Sequence, residues 1–401
     1  MLIHWMKKIK NFINIFTIFI SLFIGLLLVE IGMRIAKIEY PMFQTYDYHR
    51  GFSLRPNASG WWLREGEAYV KINKQGLRDK EYIKNKNKNI FRIAVLGDSF
   101  AEARSIPIKK TFWSLMEKEL NHCKKNKGKI EVINFGVTEY STAQQLLTLR
   151  HHVWDYEPDI VLLAFFSDND ISDNSKILSN KDYRPFFVLK NNGLVLDNSF
   201  RKSKTYLLLK SWTGQFVIKL TDYSRITQLL KEVYIKQHFK KQSENRKQEI
   251  NNNQNSSDEN TISYNQIYNP IEEKWREAWF ITESIIKLMN KEVKERNSKF
   301  LVVTLSNPAQ VHPDPSFRRT FIKKINNNDL FYPDKRIKKL GKKEDFLVVN
   351  LAKQMSDYAE ENKIFLHGFN NSVMGEGHWN IEGHKIASQI ISKKMCESLA
   401  R

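Results

Sequence analysis

Two kinds of apolar pattern run along the chain. Near the amino terminus, Phe12 to Val29 is apolar apart from Asn14, Thr17 and Ser21, and it has no polar face. At 1.5 Å per residue such a helix is about 27 Å long, close to the thickness of a bilayer core. The run is too long for the apolar part of a cleaved signal peptide, and no small-x-small site follows it cleanly, so an uncleaved anchor is expected. Further on the runs are short. Ile93 to Gly97 carries no charge, as suits a strand buried on both faces of a parallel sheet. Similar runs recur at Lys129 to Phe135, Pro158 to Phe166, Lys299 to Leu305 and Asp345 to Leu351. Between them lie stretches with helical spacing. Lys110 to Cys123 carries Phe112, Leu115, Met116 and Leu120, and Thr142 to Trp154 follows Ser141 as N-cap. Further helices are expected over Pro270 to Asn297 and, after Asn380 as N-cap, over Ile381 to Leu399. Strands alternating with helices predict a parallel sheet wound with helices.

Other segments are less regular. Tyr40 to Lys88 reads as loops with a few short strands that link the anchor to the body and cover one edge of it, with Lys84 to Asn89 as a solvated boundary. Tyr183 to Asn198 reads as a hairpin around Asn191-Asn-Gly193, and Tyr206 to Lys240 as helical. Gln242 to Asn260 is almost wholly polar and cannot bury enough surface to order itself. The expected organisation is a cytoplasmic tail over 1–10, a transmembrane anchor over 11–33, a connecting region over 34–88 and a catalytic domain over 89–401 with an insertion at 178–268. The flanking charges, Lys7, Lys8 and Lys10 against Arg34, Lys37 and Arg50, do not fix the orientation of the anchor.

The formal charge of +20 over 401 residues comes mostly from Lys scattered in an Asn-rich background. Without Arg clusters or interleaved aromatics, this does not point to nucleic acid. Cys123 and Cys396 fit no metal or redox spacing, and whether they pair is open. No cofactor or metal is called for.

The chemistry-bearing residues fall at strand ends. Ser99 follows the first core strand in Gly97-Asp-Ser99, Gly136 the second, and Asn169 the third, while His378 lies in the loop before the last helix. Acyl transfer needs an activated hydroxyl, a base, a group that holds the base, and donors for the developing oxyanion. Ser99, His378, the Gly136 N–H and the Asn169 amide supply most of that list at the edge where open α/β sheets bind ligands. His384 is a competing imidazole, but it shares a helix face with Ile381, Ala387 and Ile391 and is expected to pack against the sheet.

The blocks Gly97-Asp-Ser99, Asn134-Phe-Gly136, Ser167-Asp-Asn169-Asp170 and Gly377-His378-Trp-Asn380 resemble those of the SGNH (GDSL-type) hydrolases. The resemblance runs from about Arg92 to the end, outside the polar insertion. It implies a flavodoxin-like three-layer α/β/α sandwich on a parallel five-stranded sheet, with Ser99 as nucleophile and His378 as base. It also implies an oxyanion hole from Ser99, Gly136 and Asn169. Two positions depart from the family pattern. Ser167 and Asp168 stand where a Gly commonly precedes the Asn, and Gly375 stands where an Asp commonly lies three residues before the His. Glu376 is the nearest carboxylate, so either it orients His378 or a Ser-His dyad operates. The expected activity is that of a membrane-anchored serine esterase, acyl hydrolase or O-acyltransferase, with the catalytic domain outside the cytoplasm and an ester or acylated cell-envelope glycan as substrate. The alternative is a catalytically silent relative that binds polysaccharide or a partner in envelope assembly.

Overall fold

In a computed structural model of the chain, the described residues are 2–123, 128–179, 181–191, 193–234, 237, 265–325, 327 and 329–399. The tract Gln242 to Asn260 lies outside them. The chain forms two compact units, one from Met1–Met42 and Trp212–Asn252, the other from Phe43–Ser211 and Asn253–Arg401.

The larger unit is built on the five-stranded parallel sheet expected from the sequence. Its strands are β1 (Ile90–Leu96), β2 (Lys129–Asn134), β3 (Ile160–Phe165), β4 (Lys299–Thr304) and β5 (Leu347–Asn350), in the spatial order β2-β1-β3-β4-β5. This is the flavodoxin-like order, with the switch point between β1 and β3. Successive side chains point to opposite faces. Ala94, Leu96, Val161, Leu163 and Val302 therefore join one core beneath helices Thr142–His151, Glu273–Glu295 and Tyr332–Glu344. Ile93, Val95, Leu162, Ala164 and Val303 join the other, beneath Phe112–Asn121, Ala352–Asn362 and Ile381–Leu399. Strands walled in on both faces must be apolar throughout, which is why they read as uninterrupted runs. The expected caps are present. Ser141 and Gln144 form a capping box, and Asn380 Oδ1 accepts from the N–H groups of Glu382 and Gly383. Cys123, just beyond the helix Phe112–Asn121, is disulfide-bonded to Cys396 in the last helix, with Cα atoms 6.3 Å apart.

From Phe43 onward, the stretch read as a connector belongs to this unit. Gln44–Asp47 pairs antiparallel with Gly51–Leu54, and Ser59–Trp62 with Ala68–Lys71. Phe43, Phe52, Leu54, Val70 and Ile72 close a small core of their own on Val137 and Tyr140. Buried Arg78 donates to the carbonyls of Glu102 (2.6 Å), Ala103 (2.5 Å) and Ile106 (2.6 Å), bracing the segment that follows Ser99. A third hairpin, Phe186–Lys190 with Gly193–Asp197, lies where the Asn191-Asn-Gly193 signal placed one.

In the smaller unit, the helix Leu2–Ile35 is long and apolar enough to cross a membrane, and among the described residues it is alone in this. The helix expected over Tyr206 to Lys240 is broken. Ser211 is extended and ends Lys204–Lys210 in the larger unit, Trp212–Tyr223 follows in the smaller one, a further helix over 225–234 begins after Ser224, and 238–240 lie outside the described residues.

Candidate active site

Ser99 stands at the carboxyl edge of β1, as the first residue of a one-turn helix, Ser99–Glu102. Asp98 caps that turn through Oδ1, which accepts from Phe100 N at 2.9 Å. Two glycines let the turn nest against the strand ends. A Cβ on Gly97 would lie 2.7 Å from Ala101 Cβ, and one on Gly136 would lie 2.4 Å from it and 2.9 Å from Glu102 N. Side chains at either position would push the Ser99 turn off the sheet.

His378 reaches the serine from the loop before the last helix. Its Nε2 is 2.8 Å from Ser99 Oγ, and its Nδ1 is 2.5 Å from Glu65 Oε2. The His378 backbone N–H donates to the other oxygen, Glu65 Oε1, at 2.7 Å. An ionised carboxylate only accepts, so Nδ1 carries the proton and Nε2 is left to accept from the Ser99 hydroxyl. Burial pushes the imidazole pKa down, but the hydrogen bond and charge of Glu65 outweigh it, and the pKa ends above its usual 6.5. Conversely, burial raises the Glu65 carboxyl, and the His378 contacts more than offset this, leaving it below its usual value. The site is open to solvent, with the His378 side chain 35% exposed and that of Glu65 18%.

The carboxylate on the imidazole is thus Glu65, and the expectation placed on Glu376 does not match this geometry. Glu376 is exposed, and its N–H donates to Val373 O within its own loop. Glu65 sits at the tip of the hairpin formed by Ser59–Trp62 and Ala68–Lys71. Asn371 ties that tip to the carboxyl-terminal loop: its Oδ1 accepts from Gly66 N at 2.8 Å and its Nδ2 donates to Gly66 O at 2.9 Å. Gly377 makes the approach feasible. It has φ +68°, and a Cβ there would come within 2.1 Å of Glu65 Oε1. Gly375, with φ +84°, faces the Phe365 ring and not a carboxylate; the carboxylate reaches the loop at Gly377 and His378.

The three expected oxyanion donors differ in their commitments. Ser99 N heads a helix turn, where an N–H has no intrahelical acceptor. Asn169 Nδ2 gives one of its two hydrogens to the buried Asp98 carboxylate at 2.8 Å. Gly136 N–H, by contrast, donates to Asn134 Oδ1 at 3.0 Å, so that donor is occupied and the role shown for Gly136 is the close contact with Ala101. Asp98 and Asp170 are both buried, and both carboxyl pKa values are raised, first by burial and for Asp170 also by the charge of Asp98. Asp170 accepts from Phe166 N at 2.9 Å, which fixes the turn carrying Asn169. The departing residues ahead of Asn169 are also bound: Ser167 Oγ donates to Asp168 Oδ1 at 3.3 Å, and Asn307 Nδ2 donates to the same oxygen at 3.1 Å.

The other imidazoles nearby are structural. His384 is buried, accepts from Phe112 N at 3.2 Å, and is held neutral by burial, with its pKa lowered to about 3. His367 is likewise buried with a pKa lowered to about 3, and it hydrogen-bonds Gly377 O at 2.7 Å, bracing the loop just ahead of His378. Among the described residues there is no cluster of His, Cys, Asp and Glu arranged to hold a metal ion.

No family model matches the chain, and no curated protein matches it in sequence. Several solved structures are similar to it over most of its length. Axe2, an acetylxylan esterase from Geobacillus stearothermophilus, is 11% identical, with 76% of this chain and 94% of that chain covered at a TM-score of 0.37. An α/β hydrolase, LAE5, from the metagenome of Lake Arreo, Spain, is 8% identical, covering 78% of this chain and 96% of its own at 0.36. The acetyl xylan esterase AlAXEase is 12% identical, with coverages of 76% and 99% and a TM-score of 0.37.

Proposed function

We propose that the protein is a membrane-anchored serine esterase of the SGNH type that works through a Ser99 acyl-enzyme. The observation that carries this reading is the unbroken chain Ser99 Oγ, His378, Glu65, at 2.8 and 2.5 Å. In this mechanism Ser99 Oγ attacks the ester carbonyl while its proton passes to His378 Nε2, and Glu65 stabilises the imidazolium. The oxyanion of the tetrahedral intermediate is met by Ser99 N–H and the free hydrogen of the Asn169 amide. The C–O bond to the leaving alcohol then breaks, the alcohol takes the proton from Nε2, and the acyl group stays on Ser99. A second hydroxyl, from water or from a sugar, gives its proton to Nε2 as its oxygen bonds to the acyl carbon; the bond from that carbon to Ser99 Oγ then breaks, and Oγ takes the proton back from Nε2. Water makes the protein a hydrolase; a sugar makes it an O-acyltransferase. The open site suits acyl groups carried on a large, solvated molecule such as a cell-envelope glycan.

The membrane part of the reading is supported by the apolar helix Leu2–Ile35 and by the hydrogen bonds that its Glu30 accepts from Arg225 N (2.9 Å) and Ile226 N (3.1 Å), which give the helix a place in the smaller unit. An extracytoplasmic catalytic domain is favoured by the pairing of Cys123 with Cys396, since disulfides persist in oxidising compartments. Against the binding-only alternative stands Glu65, which brings a carboxylate to His378 where the last block has no Asp.

The test is turnover of p-nitrophenyl acetate and of an O-acetylated oligosaccharide by the full-length protein, with mass spectrometry of the quenched enzyme. An acetyl group on the Ser99 peptide, lost together with turnover in Ser99→Ala, supports the reading. Unchanged turnover in Ser99→Ala overturns it.

A further inference from the structure

The helix Trp212–Tyr223 carries an apolar face that no described residue covers. Trp212, Phe216, Val217, Leu220 and Tyr223 lie on one side of it at helical spacing, with Trp212 79% and Tyr223 77% exposed and the others about half exposed. The opposite side holds Ile218 and Thr221, which are buried. Trp212 and Phe216 stack with ring centroids 5.9 Å apart, so the face is continuous. On the next helix, over 225–234, Leu230 is also 65% exposed. A water-facing surface of this composition is costly, at roughly 25 cal/mol per Å² of apolar area left in water.

What covers the face is indicated by where the helices are fastened. The turn between them is pinned to the last part of the amino-terminal helix. Glu30 Oε1 accepts from Arg225 N at 2.9 Å, and Glu30 Oε2 accepts from Ile226 N at 3.1 Å and from Ser224 Oγ at 3.3 Å. A side chain of the amino-terminal helix thus caps the helix over 225–234. Arg34, ion-paired to Glu30 at 2.8 Å, donates to Tyr223 O, and Tyr40 N donates to Gln228 Oε1 at 2.7 Å. Glu30 directly follows Val29, the last residue of the apolar run. The pinned turn therefore sits at the depth where hydrocarbon ends and headgroups begin, provided that run spans the bilayer. At that depth Trp and Tyr are favoured, and an amphipathic helix buries its apolar face among the acyl chains.

We infer that Trp212–Tyr223 is a second, in-plane membrane contact, with Trp212, Phe216, Leu220 and Tyr223 immersed in the headgroup and acyl boundary on the side of the bilayer where the anchor ends. This rests on the reading of Leu2–Ile35 as a membrane-spanning helix. The anchor and this helix together would hold the smaller unit against the surface at two points, restricting its rotation about the spanning helix.

The inference is tested by nitroxide labelling of Phe216→Cys, of Leu220→Cys and, as a control on the anchor, of Phe19→Cys, each in the full-length protein reconstituted in phosphatidylcholine and phosphatidylglycerol vesicles. All three positions are exposed, and either label on the Trp212–Tyr223 helix serves if the other variant fails to fold. Collision rates with dissolved oxygen and with a water-soluble nickel chelate are compared. Oxygen exceeding nickel at 216 or 220, as at 19, is the expected result. Nickel exceeding oxygen at 216 and 220, with oxygen still dominant at 19, overturns the inference and leaves the anchor standing. Shielding from both reagents at 216 and 220 means that a second copy or another protein covers the face, and also overturns it. Nickel dominance at all three positions removes the anchor reading and the inference with it.

Discussion

Glu65 and His378 stand 313 residues apart in sequence, yet both Glu65 oxygens are bound by His378, one by the ring and one by the backbone N–H. The double contact fixes the imidazole's position and its tautomer at once. It also makes the hairpin of Ser59–Trp62 and Ala68–Lys71 part of the proposed catalytic apparatus.

Glu65→Gln is expected to lower kcat by about 10³ to 10⁴, because an amide in place of the carboxylate fails to stabilise the imidazolium and admits the wrong tautomer. Circular dichroism and the melting temperature should change little, since the hairpin remains tied by Asn371. Glu376→Gln, on an exposed loop side chain, should leave kcat within about twofold of wild type. Steady-state kinetics on both variants distinguishes the two carboxylates.

The pH profile follows from the raised pKa of His378. A general base must be neutral, so kcat/KM should fall as pH drops through a value above the usual 6.5, where His378 becomes protonated. Glu65→Gln removes the main cause of the upward shift, and the acid limb of the residual activity should move to lower pH. Stability has the opposite sign. The charged pair stabilises the fold fully below the unfolded histidine pKa of about 6.5, and that contribution fades as pH rises through the folded value. Measuring kcat/KM and melting temperature from pH 5 to 9 checks both directions.

Much of this arrangement is legible in the sequence. The core strands announce themselves because burial on both faces forbids charge, and Ser99, Asn169 and His378 stand at turns that break such patterns. The acid was not legible. Glu65 lies in a short hairpin whose four-residue strands have one face covered and one wet, too brief to impose a periodicity. A signal did exist in Gly375-Glu-Gly377. Two glycines with positive φ flank Glu376, two residues ahead of His378, and at Gly377 the missing Cβ marks the space that Glu65 enters. Gly136 was recognised for a backbone donor, whereas its N–H is bonded to Asn134 and its lack of a side chain is what the turn after Ser99 requires. A position's residue type was readable in such cases, but its neighbours across the fold were not.

Gly136→Ala should therefore be more damaging than its size suggests. The added methyl would overlap Ala101 and the backbone of the Ser99 turn, at a cost of about 1–3 kcal/mol, and should displace the nucleophile. Thermal unfolding and kcat should fall together, unlike the kcat-only loss expected of Glu65→Gln.

Removing the disulfide by Cys123→Ser with Cys396→Ser is expected to cost about 2–5 kcal/mol, because the pair closes most of the larger unit's chain into one loop. Thermal melts of the double variant and of the reduced wild type should agree, with activity at low temperature retained. His384→Ala, which deletes the acceptor for Phe112 N from a packed site, should likewise lower the melting temperature by the equivalent of about 1–3 kcal/mol.

The central claim, that Glu65 through His378 activates Ser99, is tested most directly by the rate of covalent labelling with a fluorophosphonate probe at neutral pH, compared among wild type, Ser99→Ala, Glu65→Gln and Glu376→Gln. Rapid labelling of wild type and Glu376→Gln, none of Ser99→Ala, and labelling of Glu65→Gln slowed by a hundredfold or more, in line with the loss when such a carboxylate is replaced, is the expected result. Labelling of Glu65→Gln at the wild-type rate would contradict it.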